Sequence, residues 1–191
     1  MQIRLAHTID AAAVNELLHQ LGYPQDGTAT TATRIQTWGD DPSSAAYVAD
    51  ADGDLLGLIA VHICPFFERT GSWGRIVALI VSDQARGQGV GGQLVTAAEL
   101  FATSRGCVRM EVTSGDRRQD AHEFYRRCGY IDQTGRSSRF LRDLNDTPTV
   151  MKINSCQELD AGQLRLASPR TVSRRLRESR ASGIARRRGQ A

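Results

Sequence analysis

The run Arg86-Gly87-Gln88-Gly89-Val90-Gly91-Gly92 separates an apolar stretch, Ile76 to Val81, from a stripe of Val90, Leu94, Ala97, Ala98 and Phe101 with helical spacing. A strand that enters a helix through closely spaced glycines leaves several N–H groups unpaired at the helix N-terminus, where the dipole adds about half a positive charge. That arrangement holds a phosphate or pyrophosphate. Gly89 and Gly91 allow the backbone to approach an anion without an intervening Cβ, and Arg86 and Gln88 are placed to close over it. The same glycines also suit tight helix packing. Two other phosphate motifs are excluded. The loop lies mid-chain after a hairpin pattern with no ribose-binding acid following, against a dinucleotide fingerprint, and no Gly-Lys-Ser/Thr is present for a kinase-type P-loop.

Other reactive side chains are scattered. Cys64, Cys107, Cys128 and Cys156 form no CxxC pair, and His7, His19, His62 and His122 show no ligand spacing, so neither a zinc site nor a disulfide framework is expected. Nothing near Cys64, Cys107 or Cys128 in sequence provides a matched base, which argues against a covalent acyl-cysteine route. A second chemical cluster is Ala121, Phe124, Tyr125 and Cys128, at i, i+3, i+4 and i+7, on a short helix stopped by Gly129.

The elements that must position these groups follow from periodicity. Ile3 to Ala6 reads as a strand. Asp10 is an N-cap candidate for a helix carrying Val14, Leu17, Leu18 and Leu21, closed by Gly22 and Pro24. Thr28 to Trp38 forms a second helix. Ala45 to Ala49 and Leu55 to Ile63 read as a hairpin about an Asp-Gly turn. Ile76 to Val81 is apolar on both faces, as a covered central strand is. Cys107 to Thr113 alternates and pairs parallel to it through the helical crossover, and Tyr130 to Asp132 and Arg139 to Leu144 are expected final strands.

The 191 residues, 40% hydrophobic and 24% charged, fit one soluble domain with a core that needs no disulfide or metal. The longest apolar run, Val77 to Val81, is far shorter than the ~20 residues of a membrane helix, and Met1 to Asp10 lacks a signal-peptide core. A cytoplasmic location is expected. Charge is unevenly placed: residues 1–144 hold 14 arginines against 17 acidic groups, whereas residues 145–191 hold 10 basic against 4 acidic groups. That tail, opening at Asn145-Asp146-Thr147-Pro148, has too little apolar surface to offset its ordering entropy, so a domain at 1–144 and a disordered basic appendage at 145–191 are expected. Arg174, Arg175, Arg177, Arg180 and Arg186 to Arg188 could contact nucleic-acid phosphates, but no aromatic residues interleave for base stacking, which favours a solvated tail.

Two stretches together resemble the GNAT superfamily of N-acetyltransferases. The run IVALIVSDQARGQGVGGQL is similar to its acetyl-CoA-binding motif, Arg/Gln-x-x-Gly-x-Gly/Ala, met here by Arg86, Gly89 and Gly91. Ala121 to Tyr130, AHEFYRRCGY, is similar to its later helix and turn, and the first strand and helix also fit, so the resemblance covers about residues 2–144. It implies an α/β (α+β) fold: a mixed, mostly antiparallel sheet of six to seven strands with a splayed parallel pair, flanked by about four helices. It implies that the backbone of Leu79, Ile80 and Val81 faces the pantetheine of acetyl-CoA, and that amides of Arg86, Gly87, Gln88, Gly89, Val90, Gly91 and Gly92 face its pyrophosphate.

The implied reaction is direct attack of a primary amine, on a small molecule or a protein, on the thioester, with catalysis resting on proximity and carbonyl polarisation and no metal. Tyr125 matches the family's tyrosine that protonates the departing thiolate, a role suited to a phenol of ordinary pKa near 10; core packing is its other reading. The acid that many relatives carry in the central strand is absent, since the stretch reads Arg75-Ile76-Val77-Ala78-Leu79. Glu111, His62 and Glu68 are the candidate bases, with solvent as the alternative. Trp38, Phe66, Phe67 and Trp73 are candidates for the acceptor entrance or for caps on the core. The second reading from another class is a catalytically silent acetyl-CoA-binding sensor or interaction module. A homodimer through the last strands is left open.

Overall fold

Alternating burial along β3 (Asp54–Pro65) sends Leu58 to one face of a sheet and Ile59 and Val61 to the other, and two cores form accordingly. The computed structural model describes residues 1–137 and residue 140, of which Met1–Thr134 make one unit. Within that unit β1 (Gln2–Leu5), β2 (Ser44–Ala51), β3, β4 (Ser72–Val81) and β5 (Cys107–Val112) lie side by side in chain order. The first three pairings are antiparallel and the last, β4 with β5, is parallel. One face carries α1 (Ala11–Gln20) and α2 (Thr28–Asp40), with Val14, Leu17 and Ile35 closing over Val48, Leu58 and Ile80. The other carries α3 (Val90–Ser104), whose Leu94, Val95 and Ala98 cover Ile59, Val61 and Ile76. The short α4 (Gln119–Arg127) is the fourth α-helix among the described residues.

The mixed sheet and the four helices match the expected architecture, with five strands among the described residues rather than six or seven. The expected strand at Tyr130 to Asp132 does not form, because these residues finish α4 instead. Gly129, at φ +87°, donates its N–H to Arg126 O at 3.0 Å and Tyr130 donates to Tyr125 O at 3.0 Å, the paired bonds of a Schellman cap. The expected strand at 139–144, apart from Phe140, and the tail at 145–191 lie outside the described residues.

Two local features set up the cleft. In the β3–β4 register Ala60 opposes Ala78 while Val61 opposes Ile76, so Val77 is an extra residue, a bulge that turns the strand. Val77 is 54% exposed, so β4 is not covered throughout as its composition suggests. At the same point β5 departs: its register with β4 runs from Ser72↔Cys107 to Ile76↔Val112, and β4 continues to Val81 without it.

At the other edge, Asp10 does not cap α1 with its side chain. Its carboxylate, 7% exposed, instead takes Arg4 Nη1 and Nη2 at 2.7 and 2.9 Å and the His7 N–H at 2.8 Å. Arg4 Nε also reaches Asp50 Oδ2 at 2.8 Å, tying β1, β2 and the entry to α1 together. The guanidinium of Arg4 holds the Asp10 carboxyl below its ordinary range. Asp10→Asn is therefore expected to cost about 3 kcal/mol in urea denaturation near neutral pH, leaving Arg4 without its main partner. Because the folded pKa is depressed, the stabilisation is complete above about pH 4 and lost below it, so the wild-type advantage shrinks on acidification.

Candidate functional site

Parting of β4 from β5 opens a cavity of about 1530 Å³ that runs from the glycine loop, past the free edge of β4, to the rim of α1 and α2. The loop begins in a 3-10 turn at Asp83–Ala85. Gly87 lies at φ +78° and Gly89 at φ +81°, a left-handed region that costs other residues about 1–2 kcal/mol, and Gly89 is the N-cap of α3. Across residues 86–92, among the described residues, only Gln88 N–H donates internally, to Ala85 O at 3.4 Å. The amides of Arg86, Gly87, Gly89, Val90, Gly91 and Gly92 are left for a ligand beside the positive end of a fifteen-residue helix.

Not every glycine there serves the same end. A Cβ at Gly91 would stand 3.1 Å from the Phe124 ring, so this residue lets α3 pack against α4, whereas a Cβ at Gly92 would meet open space. The two side chains expected to close the loop do not both do so. Arg86 lines the cavity while paired to Asp83 at 2.7 Å, but Gln88 turns away, donating from Nε2 to Gln84 O at 2.9 Å.

Along β4, Ser82 N–H donates to Leu56 O at 2.9 Å, which fixes which way each peptide points. By strand alternation Ile80 and Ala78 turn their backbone groups toward β3, and Leu79 and Val81 present theirs to the unpaired edge. Leu79, Ile80 and Val81 all line the cavity.

Tyr125 lines the same cavity from α4. Its ring packs edge-on to Phe124 at 5.2 Å and to Tyr130 at 5.7 Å, the second contact being the apolar clasp of the Schellman cap. Burial pushes its pKa up to about 12, with Arg118 acting weakly in the other direction. The phenol is thus protonated across the neutral range. Burial likewise raises the thiol pKa of Cys128, which lines the cavity, and of Cys107, the opposite of what a nucleophilic cysteine needs.

None of the three candidate bases lines the cavity. Glu111 is tied to Arg75 at 2.9 Å. Glu68 stands in the exposed β3–β4 loop. His62 belongs to a hydrogen-bonded chain: Ser44 O–H donates to Asp41 Oδ2 at 2.6 Å, so its oxygen accepts from His62 Nδ1, 2.9 Å away. Of the four large aromatics, Trp38 alone lines the cavity. Phe67 is fully exposed, and Phe66 lies beneath Arg69 at 4.0 Å and Arg109 at 5.3 Å. Among the described residues no cluster of His, Cys, Asp or Glu could hold a metal ion, and no helix is long and apolar enough to cross a membrane.

Sequence reasoning missed the far end of the cavity. Ala46, Ala60 and Ala78 stand opposite one another on β2, β3 and β4, a row of methyl groups across the sheet where larger side chains would fill the space. All three line the cavity, beneath Arg34, Ile35 and Trp38 of α2. The signal was an alanine in the middle of each apolar strand; the strand pairing was needed to align them.

Residues 12–130, more than half of the chain, match the acetyltransferase (GNAT) family. The chain belongs to that family. Its members are acyltransferases, and the splayed strand pair beside a glycine loop is the architecture expected of them. An aminoalkylphosphonate N-acetyltransferase of Salmonella typhimurium is 36% identical over 91 residues, covering 47% of this chain and 58% of that protein. The glucosamine-6-phosphate N-acetyltransferase of Arabidopsis thaliana shares the fold at a TM-score of 0.65 and 21% identity, over 74% of this chain and 99% of that one. An aminoglycoside N-acetyltransferase solved in complex with CoA does so at 0.61 and 20% identity, over 74% and 98%.

Two glycine substitutions separate conformation from packing in this GNAT-family loop. Gly89→Ala, forced into a left-handed φ, is expected to cost about 1–2 kcal/mol by thermal or urea unfolding. Gly92→Ala, inside α3 with open space around the new methyl, is expected to gain about 0.5–1 kcal/mol in the same measurement.

Proposed function

We propose that this chain transfers the acetyl group of acetyl-CoA to a primary amine by direct attack, with Tyr125 as the proton donor to the departing sulfur. The observation that carries the proposal is the set of unpaired amides at Gly87 and Gly89 to Gly92, opening into the same cavity as the protonated Tyr125. Acetyl-CoA supplies an activated thioester. The chain supplies a fit for each of its parts: helix-terminal amides for the pyrophosphate, the unpaired peptide edge at Leu79 and Val81 for the pantetheine amides, and Arg118 and Arg127 on the cavity wall for further phosphate charge.

In the reaction the amine nitrogen forms a bond to the thioester carbon, and the carbon–sulfur bond breaks with its electron pair on sulfur. Tyr125 gives its proton to that sulfur, and the proton lost from nitrogen leaves through water to restore the phenol. Holding both reactants in one cleft accounts for most of the acceleration, which needs no acyl-enzyme. The raised thiol pKa values of Cys128 and Cys107 support that route. With Glu111 paired to Arg75 and Glu111, His62 and Glu68 all off the cavity wall, the amine gives its proton to solvent; Asp120, the one acid among the described wall residues, is the side-chain alternative. The transferase domain is 1–144, with the basic segment 145–191 outside it.

Calorimetric titration with acetyl-CoA is expected to give saturable binding, and an absence of heat from folded protein would end this reading. Tyr125→Phe should lower kcat roughly 10²-fold, the size of a general-acid contribution, with acetyl-CoA affinity unchanged. Unchanged turnover would remove Tyr125 from the mechanism. Deprotonation by solvent predicts that kcat/KM rises with pH toward the pKa of the acceptor amine itself. The rise should therefore move when acceptors of different basicity are compared, whereas a side-chain base would hold it in place.

A further inference from the structure

The acceptor end of the cavity carries a charge pattern that selects among amines. Its floor is the methyl row Ala46, Ala60 and Ala78, too shallow and apolar to anchor a polar headgroup. Above that floor, on the exposed side of α2, stands Arg34. The Arg34 guanidinium donates from Nη1 to Gln25 Oε1 at 3.0 Å, and both residues line the cavity; among the described residues no carboxylate pairs with it. A single neutral partner leaves most of the five N–H donors of a guanidinium for a ligand. Gln25 meanwhile holds the side chain over the opening.

The rest of the wall, among the described residues, is poor in acids. Among the described residues its charged groups are Arg34, the three arginines of the cofactor end, Arg86, Arg118 and Arg127, and one acid, Asp120, in the first turn of α4. A site for a polyamine or an aminated sugar would need several carboxylates to hold its ammonium groups, and the described residues of this wall offer one. An amine carrying a phosphonate, phosphate or carboxylate would instead place its anion in the fork of Arg34. Its aliphatic portion would then rest on the alanine row, and its nitrogen would point along β4 toward Tyr125.

We infer that the acceptor is a small amine bearing an anionic group, with Arg34 as the residue that selects for it; the inference rests on the transferase reading above.

The test is release of free CoA by the full chain at saturating acetyl-CoA, with 2-aminoethylphosphonate, β-alanine, propylamine and spermidine as acceptors. The expected result is a kcat/KM for at least one of the two anionic amines more than tenfold above propylamine and spermidine. Comparing 2-aminoethylphosphonate with β-alanine tells which anion is preferred. Arg34→Gln, on an exposed helix face, should reduce the ratio of anionic to neutral acceptor at least tenfold through KM, with the KM for acetyl-CoA unaltered. Arg34→Glu should turn the preference toward spermidine. Propylamine or spermidine as the best substrate of the wild type, or an equal loss on all acceptors in Arg34→Gln, overturns the inference and leaves the transferase reading intact. Binding of acetyl-CoA without acetylation of any amine overturns both.

Discussion

One missing set of hydrogen bonds organises this molecule: β4 keeps its parallel partner only as far as Ile76 and then runs five residues without it. The bulge at Val77 marks the point of departure, turning β4 while β3 stays paired along its other edge. Unpaired backbone inside a fold is costly unless something satisfies it. Here the exposed edge at Leu79 and Val81 borders a large open cavity, so water or an extended ligand can take those bonds. The same geometry places the N-terminus of α3 at the end of the free edge, which makes the sheet defect and the anion cradle parts of one site.

The two cores hold the opening apart. On one face α3 is pinned by Leu94 and Ala98 against Ile59, Val61 and Ile76, so the loop before it is anchored at both ends. On the other, Thr31 of α2 hydrogen-bonds Asn15 of α1, and Ile35 sinks into the second core, which suspends α2 over the alanine row. Tyr125 is fixed by a different device. The Schellman cap at Gly129 folds Tyr130 back onto it, so a residue on the exposed α4 gains a packed and partly dehydrated position. Burial raises the pKa of its phenol.

Much of this was legible along the chain because it depends on local periodicity. The strand, glycine loop and helix order at 76–104, the hairpin about Asp52-Gly53, and the stripe of Phe124 and Tyr125 all appear at the expected places. Reading failed where a residue had two local uses. Asp10 suits an N-cap, yet an arginine six residues earlier claims its carboxylate. Tyr130 to Asp132 suits a strand, yet a glycine in the left-handed region makes Tyr130 the last residue of a helix cap. Gln88 stands in the loop where its side chain could close over an anion, but its side-chain amide is spent on Gln84 O.

The sequence by itself determined the elements and the chemistry of the glycine loop, since both follow from which residue types succeed one another within a few turns of chain. Tertiary structure alone decided what shares the cavity. Three alanines drawn from three strands, an arginine on α2 and a tyrosine on α4 are each a dozen or more residues from the next, and only register and helix packing bring them together. Whether His62, Glu68 or Glu111 can reach the cavity was likewise a matter of which way each strand faces and where each loop runs, a fact that composition and spacing do not carry.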